Sequence, residues 1–337
     1  MKICKKVSAK FIMLILLSQL FSLNCFIDTF LENALDESKA WCNAIYVVNG
    51  KVYIAGSDYK DNKWTSRAAY WINGKINYLS NGDDNAEVYS VFVSNNDVYT
   101  AGYFQNFDYY TKTARYWKNK QEYNLTDGKL DAEASAIFIA DNNVYVAGRE
   151  GDVLKLWKNG EPTILSESNG ISSAHSIFVS NGNVYISGYV SGHSACYWKN
   201  NVLVDLPDSD KNATADSIFV VGEDVYVAGK NDDKAVYWKN NELIYLSAGK
   251  ADSFAVSIFV KGNDVYIAGQ VSRSAVYWKN GNKHTLAEYE SENYLYYRVS
   301  AIFVENLNVY VSGREESGNR SNAVYWKNGK MKYLTDY

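Results

Sequence analysis

Proline is nearly missing, with 2 in 337 residues, which excludes collagen and a proline-rich stalk. Basic residues are not in excess. The net charge is −4 and the pI about 5.6, so there is no bulk positive field to hold nucleic acid. The only long apolar run covers 13 residues, Phe11 to Leu23, against the roughly 20 that a spanning helix needs. No P-loop, dinucleotide glycine fingerprint, nucleophile elbow or Cys/His metal spacing occurs, so no cofactor and no metal is expected. Hydrophobic residues nevertheless make up 47% and charged residues 21%, which supplies a sizeable core and excludes global disorder. What is abundant is tyrosine, 29, with 9 tryptophans and 22 glycines.

The N-terminus reads as an address. Lys2, Lys5, Lys6 and Lys10 precede the 13-residue run, which fits the apolar part of a secretory signal. The run ends at Ser22-Leu23-Asn24-Cys25. This resembles a bacterial lipoprotein signal, with Asn24 where the strict pattern has a small residue. The resemblance implies a signal peptide over 1–25, lipidation at Cys25 and a tether over 26–40. Phe26 follows the cysteine in place of the inner-membrane-retaining Asp. A cell-envelope address at the outer membrane is therefore expected, with membrane contact through the lipid alone. A plain cleaved signal and an uncleaved anchor are the alternatives.

The rest is one phrase written seven times. Small-x-small-Ile-Phe-Val is followed by a polar turn, Val-Tyr-Val-Ala-Gly, a variable gap, Ala-Val-Tyr-Trp-Lys-Asn-Gly and a leucine. The tryptophans Trp71, Trp117, Trp157, Trp198, Trp238, Trp278 and Trp326 are 46, 40, 41, 40, 40 and 48 residues apart. Each repeat reads as four short strands. In the fifth they are Ser217–Val220, Asp224–Ala228, Ala235–Trp238 and Glu242–Leu246. No helical period interrupts them. The expected fold is all-β, a seven-bladed β-propeller of four-stranded antiparallel blades over 41–337. The motif resembles seven-bladed β-propellers generally. It lacks the Trp-Asp pair of WD40 repeats and the double glycine of kelch repeats. Each blade comes from one contiguous repeat, so blade 1 must close on blade 7 by packing. Cys42 and Cys196 then lie in blades 1 and 4, too far apart for a disulfide, and two free thiols are expected.

Four antiparallel strands put the monotonous turns on one face and the variable connections on the other. Loops 57–68, 103–113 and 314–322, with the connection 287–298, are predicted to raise a wall on adjacent blades 7, 1 and 2. It would carry Tyr59, Trp64, Tyr103, Phe104, Phe107, Tyr109, Tyr110, Tyr289, Tyr294, Tyr296 and Tyr297. Exposed aromatics suit protein or glycan recognition; the alternative is that they pack on one another to stiffen the loops. A second constellation lines the channel mouth. The variable position of the opening strand holds Asn43, Tyr89, Ser135, His175, Asp216, Val256 and Ser300. The position after the glycine holds Ser57, Tyr103, Arg149, Tyr189, Lys230, Gln270 and Arg314. Arg149, His175, Asp216, Lys230 and Arg314 are the charged or titratable candidates there. His175, His193 and Asp216 could form a metal site or an acid–base pair; His284 falls toward the opposite face. The acidic inter-blade loops (Asp83, Asp84, Asp127, Asp131, Asp208, Asp210, Asp252) have no complete calcium-loop spacing, and turn capping accounts for them.

The expected function is non-catalytic binding of a protein or glycan by the variable face. The alternatives are an enzyme acting on extracellular polysaccharide or peptide at the mouth, and a scaffold within an envelope complex.

Overall fold

The computed structural model describes residues 39–334, apart from 60–64, 107–109, 168–171, 192, 247–251, 293 and 319. The expected signal peptide and the tether up to residue 38, with Cys25, and also Trp64, Phe107 and Tyr109, lie outside the described residues. The described residues form seven four-stranded antiparallel sheets, each from four consecutive strands. The first strands are Ala40–Val48, Asn85–Ser94, Ala132–Ala140, Ser172–Ser180, Thr214–Val221, Ser253–Lys261 and Leu295–Glu305. They contact one another around a central channel, so the opening strand of each repeat is innermost. The fold is the expected all-β, seven-bladed propeller. Its boundary moves by one residue, because Ala40, assigned to the tether, opens the first strand.

The repeated phrase explains the packing. Seven buried clusters each join one blade to the next. In every cluster the tryptophan of one blade meets the second-strand tyrosine of its neighbour, as Trp238 meets Tyr185 between blades 4 and 5. All seven repeat tryptophans are at most 1% exposed. The lysine after the tryptophan lays its ammonium 5.2–5.5 Å from the ring of its own blade's second-strand tyrosine in blades 2 to 7, extending apolar cover while keeping the charge wet. The asparagine after the lysine clamps the second strand. Asn240 N donates to the Val225 carbonyl at 2.9 Å, and Asn240 Oδ1 accepts from Val225 N at 2.8 Å.

The ring closes without exchanging a strand. Ala40, Cys42, Ile45 and Trp71 of blade 1 pack with Tyr310, Ala323, Tyr325 and Leu334 of blade 7. Ser300 Oγ donates to the Cys42 carbonyl at 2.5 Å, and Gly50 N to Glu305 at 3.0 Å. Cys42 and Cys196 are free and buried, as the repeat register requires. Burial raises both thiols, Cys196 up to about 12, so neither is a nucleophile.

The variable connections are shorter than expected because the strands run on past the residues predicted to be loop. Blade 7 is a tall hairpin, with strands Asn308–Ser317 and Arg320–Lys327 leaving two residues between them. In blade 5 only Asp232 and Asp233 separate Asp224–Asn231 from Lys234–Lys239. Both residues have positive φ, 49° and 55°, the two-residue turn that matches strand twist.

Each first strand carries one β-bulge, opposite the glycine that ends the second element. The register skips Asn43, Tyr89, Ser135, His175, Asp216, Val256 and Ser300. The facing glycine is obligatory. A Cβ on Gly229 would lie 1.8 Å from the Thr214 carbonyl oxygen, and the other six stand at 1.8–2.2 Å from theirs. Trp238→Ala is expected to cost roughly 3–5 kcal/mol by cavity formation. Gly229→Ala should cost about 2 kcal/mol or more, since backbone must move. Denaturant midpoints measure both; an unshifted midpoint for Gly229→Ala would show that the bulge does not depend on that approach.

Candidate functional site: the channel mouth

A girdle of aromatic rings forms the floor below the mouth. Tyr46, Phe92, Phe138, Phe178, Phe219, Phe259 and Phe303 touch in sequence all the way round, with centroids 4.6–5.0 Å apart. A heptagon with that edge has a radius of about 5.5 Å to the ring centres, and the rings themselves fill much of it. The girdle is therefore a waist that narrows the channel below the mouth.

Above the floor, the bulges turn the seven skipped residues out of the ladder toward the mouth. Two residues earlier stand Trp41, Glu87, Glu133, Ser173, Thr214, Phe254 and Arg298, each paired across the ladder with the residue after the glycine. All seven blades share one backbone here, so the arcs differ only in side chains.

The arc of blades 7 and 1 is cationic and aromatic. Arg298 and Arg314 face each other across the ladder, and both contact Glu316, at 3.2 and 2.5 Å. The Arg314 guanidinium lies 5.2 Å from the Trp41 ring, and Tyr59 meets Trp41 edge-on at 5.4 Å. Burial pulls Arg314 below its ordinary value, against Glu316. Between blades 6 and 7 a cleft of about 320 Å³ is lined by Asp252, Phe254, Gln270, Arg273, Tyr296 and Arg298.

The arc of blades 2 and 3 centres on carboxylates. Burial pushes the Glu87 carboxyl above the usual range, Lys112 and the hydroxyls of Tyr103 and Tyr89 pull it back, and Glu133 adds to the rise. Lys112 Nζ is 2.6 Å from Glu133 and 4.1 Å from the Tyr103 ring centre, and Arg149 reaches the same Glu133 oxygen at 3.3 Å.

The arc of blades 4 and 5 joins residues from two strands. His175 Nε2 is 2.8 Å from Ser173 Oγ, and its Nδ1 is 3.1 Å from the Ala215 carbonyl and 3.5 Å from Asp216 Oδ1. Thr214 Oγ1 donates to Asp216 Oδ2 at 2.6 Å. Desolvation raises the Asp216 carboxyl, opposed by His175, Thr214 and Lys230. Lys230 itself pairs with Asp233 at 3.0 Å.

Of the residues read from sequence, the structure brings Arg149, His175, Asp216, Lys230 and Arg314 to the mouth. His193 does not join His175; it pairs with Asp205 at 2.8 Å on the surface. His284 stacks on Tyr277 at 4.6 Å in the outer strands of blade 6. The acidic connections cap turns, as Asp210 Oδ1 accepts from Asn212 N at 2.7 Å.

The predicted wall divides. Tyr103 and Tyr297 are 6% and 7% exposed, so they are buried and raise no wall; Tyr297 packs edge-on to Trp326. Tyr59 is half-buried against Trp41, and Phe104 lies 4.3 Å from the Arg115 guanidinium. Tyr289 and Tyr296 are half-buried, near the guanidinium groups of Arg273 and Arg298. Tyr110 and Tyr294 stand out, 73% and 72% exposed. Residues 103–105 and 295–298, predicted as loop, are strand, and pleating sends alternate side chains inward. The sequence reading did not select Glu87, Glu133, Ser173 or Trp41. They stand two residues before the variable position, on the same side of the strand, and that period was the signal.

No protein-family model matches this sequence, and no curated protein matches it significantly. Solved structures do match. The β-propeller domain of the trilobed protease from Pyrococcus furiosus, described as having an open velcro topology, is 12% identical over 88% of this chain and 96% of that one, with a TM-score of 0.54. An acylaminoacyl peptidase from Pyrococcus horikoshii is 12% identical over 89% and 53%, with a TM-score of 0.51. Oligopeptidase B from Leishmania major is 11% identical over 88% and 48%, with a TM-score of 0.52. The fold is that of a β-propeller. This propeller spans about half the length of the two peptidases, and at such identities the likeness concerns fold alone.

The raised Glu87 carboxyl makes a stability prediction. The folded state keeps a proton that an unfolded carboxyl gives up from about pH 4.3. Its contribution is full below that pH and is lost as pH rises through the raised folded value. Glu87→Gln should therefore melt progressively higher than wild type as pH climbs to neutral, with the difference shrinking in acid. A difference that stays constant with pH would place Glu87 in open solvent.

Proposed function

We propose that the protein is an exported, lipid-anchored β-propeller that binds a protein segment or glycan at the mouth of its channel. The observation that carries this reading is the bulge. Seven near-identical repeats each turn one unpaired residue to a single mouth, and those seven residues are all different in environment or type. A scaffold needing only stability has no use for Glu87, a carboxyl held in a position that disfavours its charge. The aromatic waist supports surface binding over threading. Trp41 with Arg314, and Phe254 beside Arg273 and Arg298, supply stacking platforms with cations at hand, which suit sugar rings and peptide side chains alike. Because one similar fold is a propeller domain of a protease, peptides belong in the first screen beside glycans.

A second reading is an enzyme on extracellular polysaccharide or peptide. The raised carboxyls of Glu87 and Asp216 favour it.

Two experiments follow. The Lys-rich start, apolar run and Cys25 predict labelling by a fatty-acid probe that Cys25→Ala abolishes; labelling that persists in the variant refutes the anchor. For the mouth, peptide and glycan arrays probed with the full chain should yield a ligand whose affinity falls at least about tenfold in Trp41→Ala and Arg298→Ala. Val202→Ser, on the outer strand of blade 4, should leave affinity unchanged. Melting temperatures read in parallel separate lost binding from lost folding. Equal affinity in both mouth variants would move the site away from the mouth.

A further inference from the structure

We propose that Ser173, His175 and Asp216 form an acyl-transfer centre at the mouth that hydrolyses small carboxylic esters. The inference concerns an activity and stands apart from the binding reading above.

The nucleophile and base are in hydrogen-bond contact, Ser173 Oγ to His175 Nε2 at 2.8 Å. The tautomer is fixed by the other nitrogen. Nδ1 lies 3.1 Å from the Ala215 carbonyl, which only accepts, so Nδ1 carries the hydrogen. Nε2 is then the free base, and the Ser173 hydroxyl donates to it. Asp216 Oδ1, 3.5 Å from Nδ1, faces the imidazolium that forms during attack. Asp216 does not swing, because Thr214 Oγ1 holds its second oxygen at 2.6 Å. The side chains of His175 and Asp216 keep 30% and 29% of their exposure, so a substrate in the mouth can reach them.

The arrangement is not a by-product of the repeat. The positions of Ser173 and His175 are filled by Trp41 and Asn43 in blade 1, Glu87 and Tyr89 in blade 2, and Phe254 and Val256 in blade 6. Only blade 4 places a hydroxyl two residues before a histidine, and only its neighbour, blade 5, offers an aspartate at the bulge. The bulge is itself necessary, because His175 is the unpaired residue and its ring is thereby free to span from its own strand to the next.

The reaction balances with water as the only co-reactant. Ser173 Oγ bonds to the ester carbonyl carbon and passes its proton to Nε2. The C–O bond to the leaving alcohol breaks, and Nε2 returns the proton to that oxygen. Water then attacks the acyl-serine, giving its proton to Nε2, and Ser173 leaves as the hydroxyl with that proton. The released products are a carboxylic acid and an alcohol.

The test uses the full chain in mildly alkaline buffer. A fluorophosphonate probe should modify the wild-type protein at Ser173, located by peptide mass spectrometry. p-Nitrophenyl acetate hydrolysis should fall to background in Ser173→Ala and about 10³-fold in His175→Ala. Asp216 is a positioning residue. Asp216→Asn should lower kcat at least about tenfold with little change in KM, and Asp216→Glu should restore part of it. Modification of wild type at another serine, or no modification at all, overturns the proposal without reliance on any variant. Hydrolysis retained by a folded Ser173→Ala protein overturns it as well.

Discussion

The architecture of the mouth rests on one close approach of backbone to backbone. In every blade the carbonyl of the residue two before the skipped one occupies the space where the facing glycine would carry a Cβ. That approach is possible only for glycine, and it forces the inner strand to hold one residue more than its partner. The extra residue loses its place in the ladder and turns to the channel. The small residues one and three places before it, Cys42 and Ala40 in blade 1 or Ala215 and Ala213 in blade 5, are buried and let neighbouring blades close in. A scaffold constraint and a functional opportunity are thus the same backbone feature.

The girdle and the inter-blade clusters hold this arrangement in a ring. Each blade offers a tryptophan on one side and a tyrosine on the other, so every interface is a copy of the next, the 7-to-1 junction included. That junction needs no exchanged strand because its cluster is as apolar as the rest, and Ser300 and Glu305 add polar links. The inner aromatic positions then meet seven times round. Repetition supplies the closure, and closure supplies the radius.

The blades differ in charge around the mouth. Cations with Trp41, carboxylates with tyrosines, and the Ser173–His175–Asp216 group occupy successive arcs of one rim. Placing unlike charges on neighbouring blades holds each in a defined orientation, as Lys112 and Arg149 hold Glu133. Such a rim sets unlike chemistry side by side above the aromatic waist.

The seven-fold period, the four strands per repeat, the contiguous blades and the free thiols were all legible in the sequence. They follow from spacing, from β-rich phrases and from one invariant glycine per repeat. The variable position was legible too, because six other copies show what is ordinary there. Strand length was not. Residues 103–105, 295–298 and 314–317 lack the repeat's phrase and read as loop, yet the ladder extends through them because their partners continue opposite. The pleat then buried Tyr103 and Tyr297, which a loop would have exposed. Contacts between blades were equally out of reach. Ser173 and His175 are two residues apart in sequence, but Asp216 lies 41 positions further on, and only the packing of blade 5 on blade 4 brings it to 3.5 Å of the imidazole. The repeating unit and its number are readable from residue order, since those depend on local pattern. The tertiary structure alone decided which unlike residues share a rim, since that depends on closure of the ring.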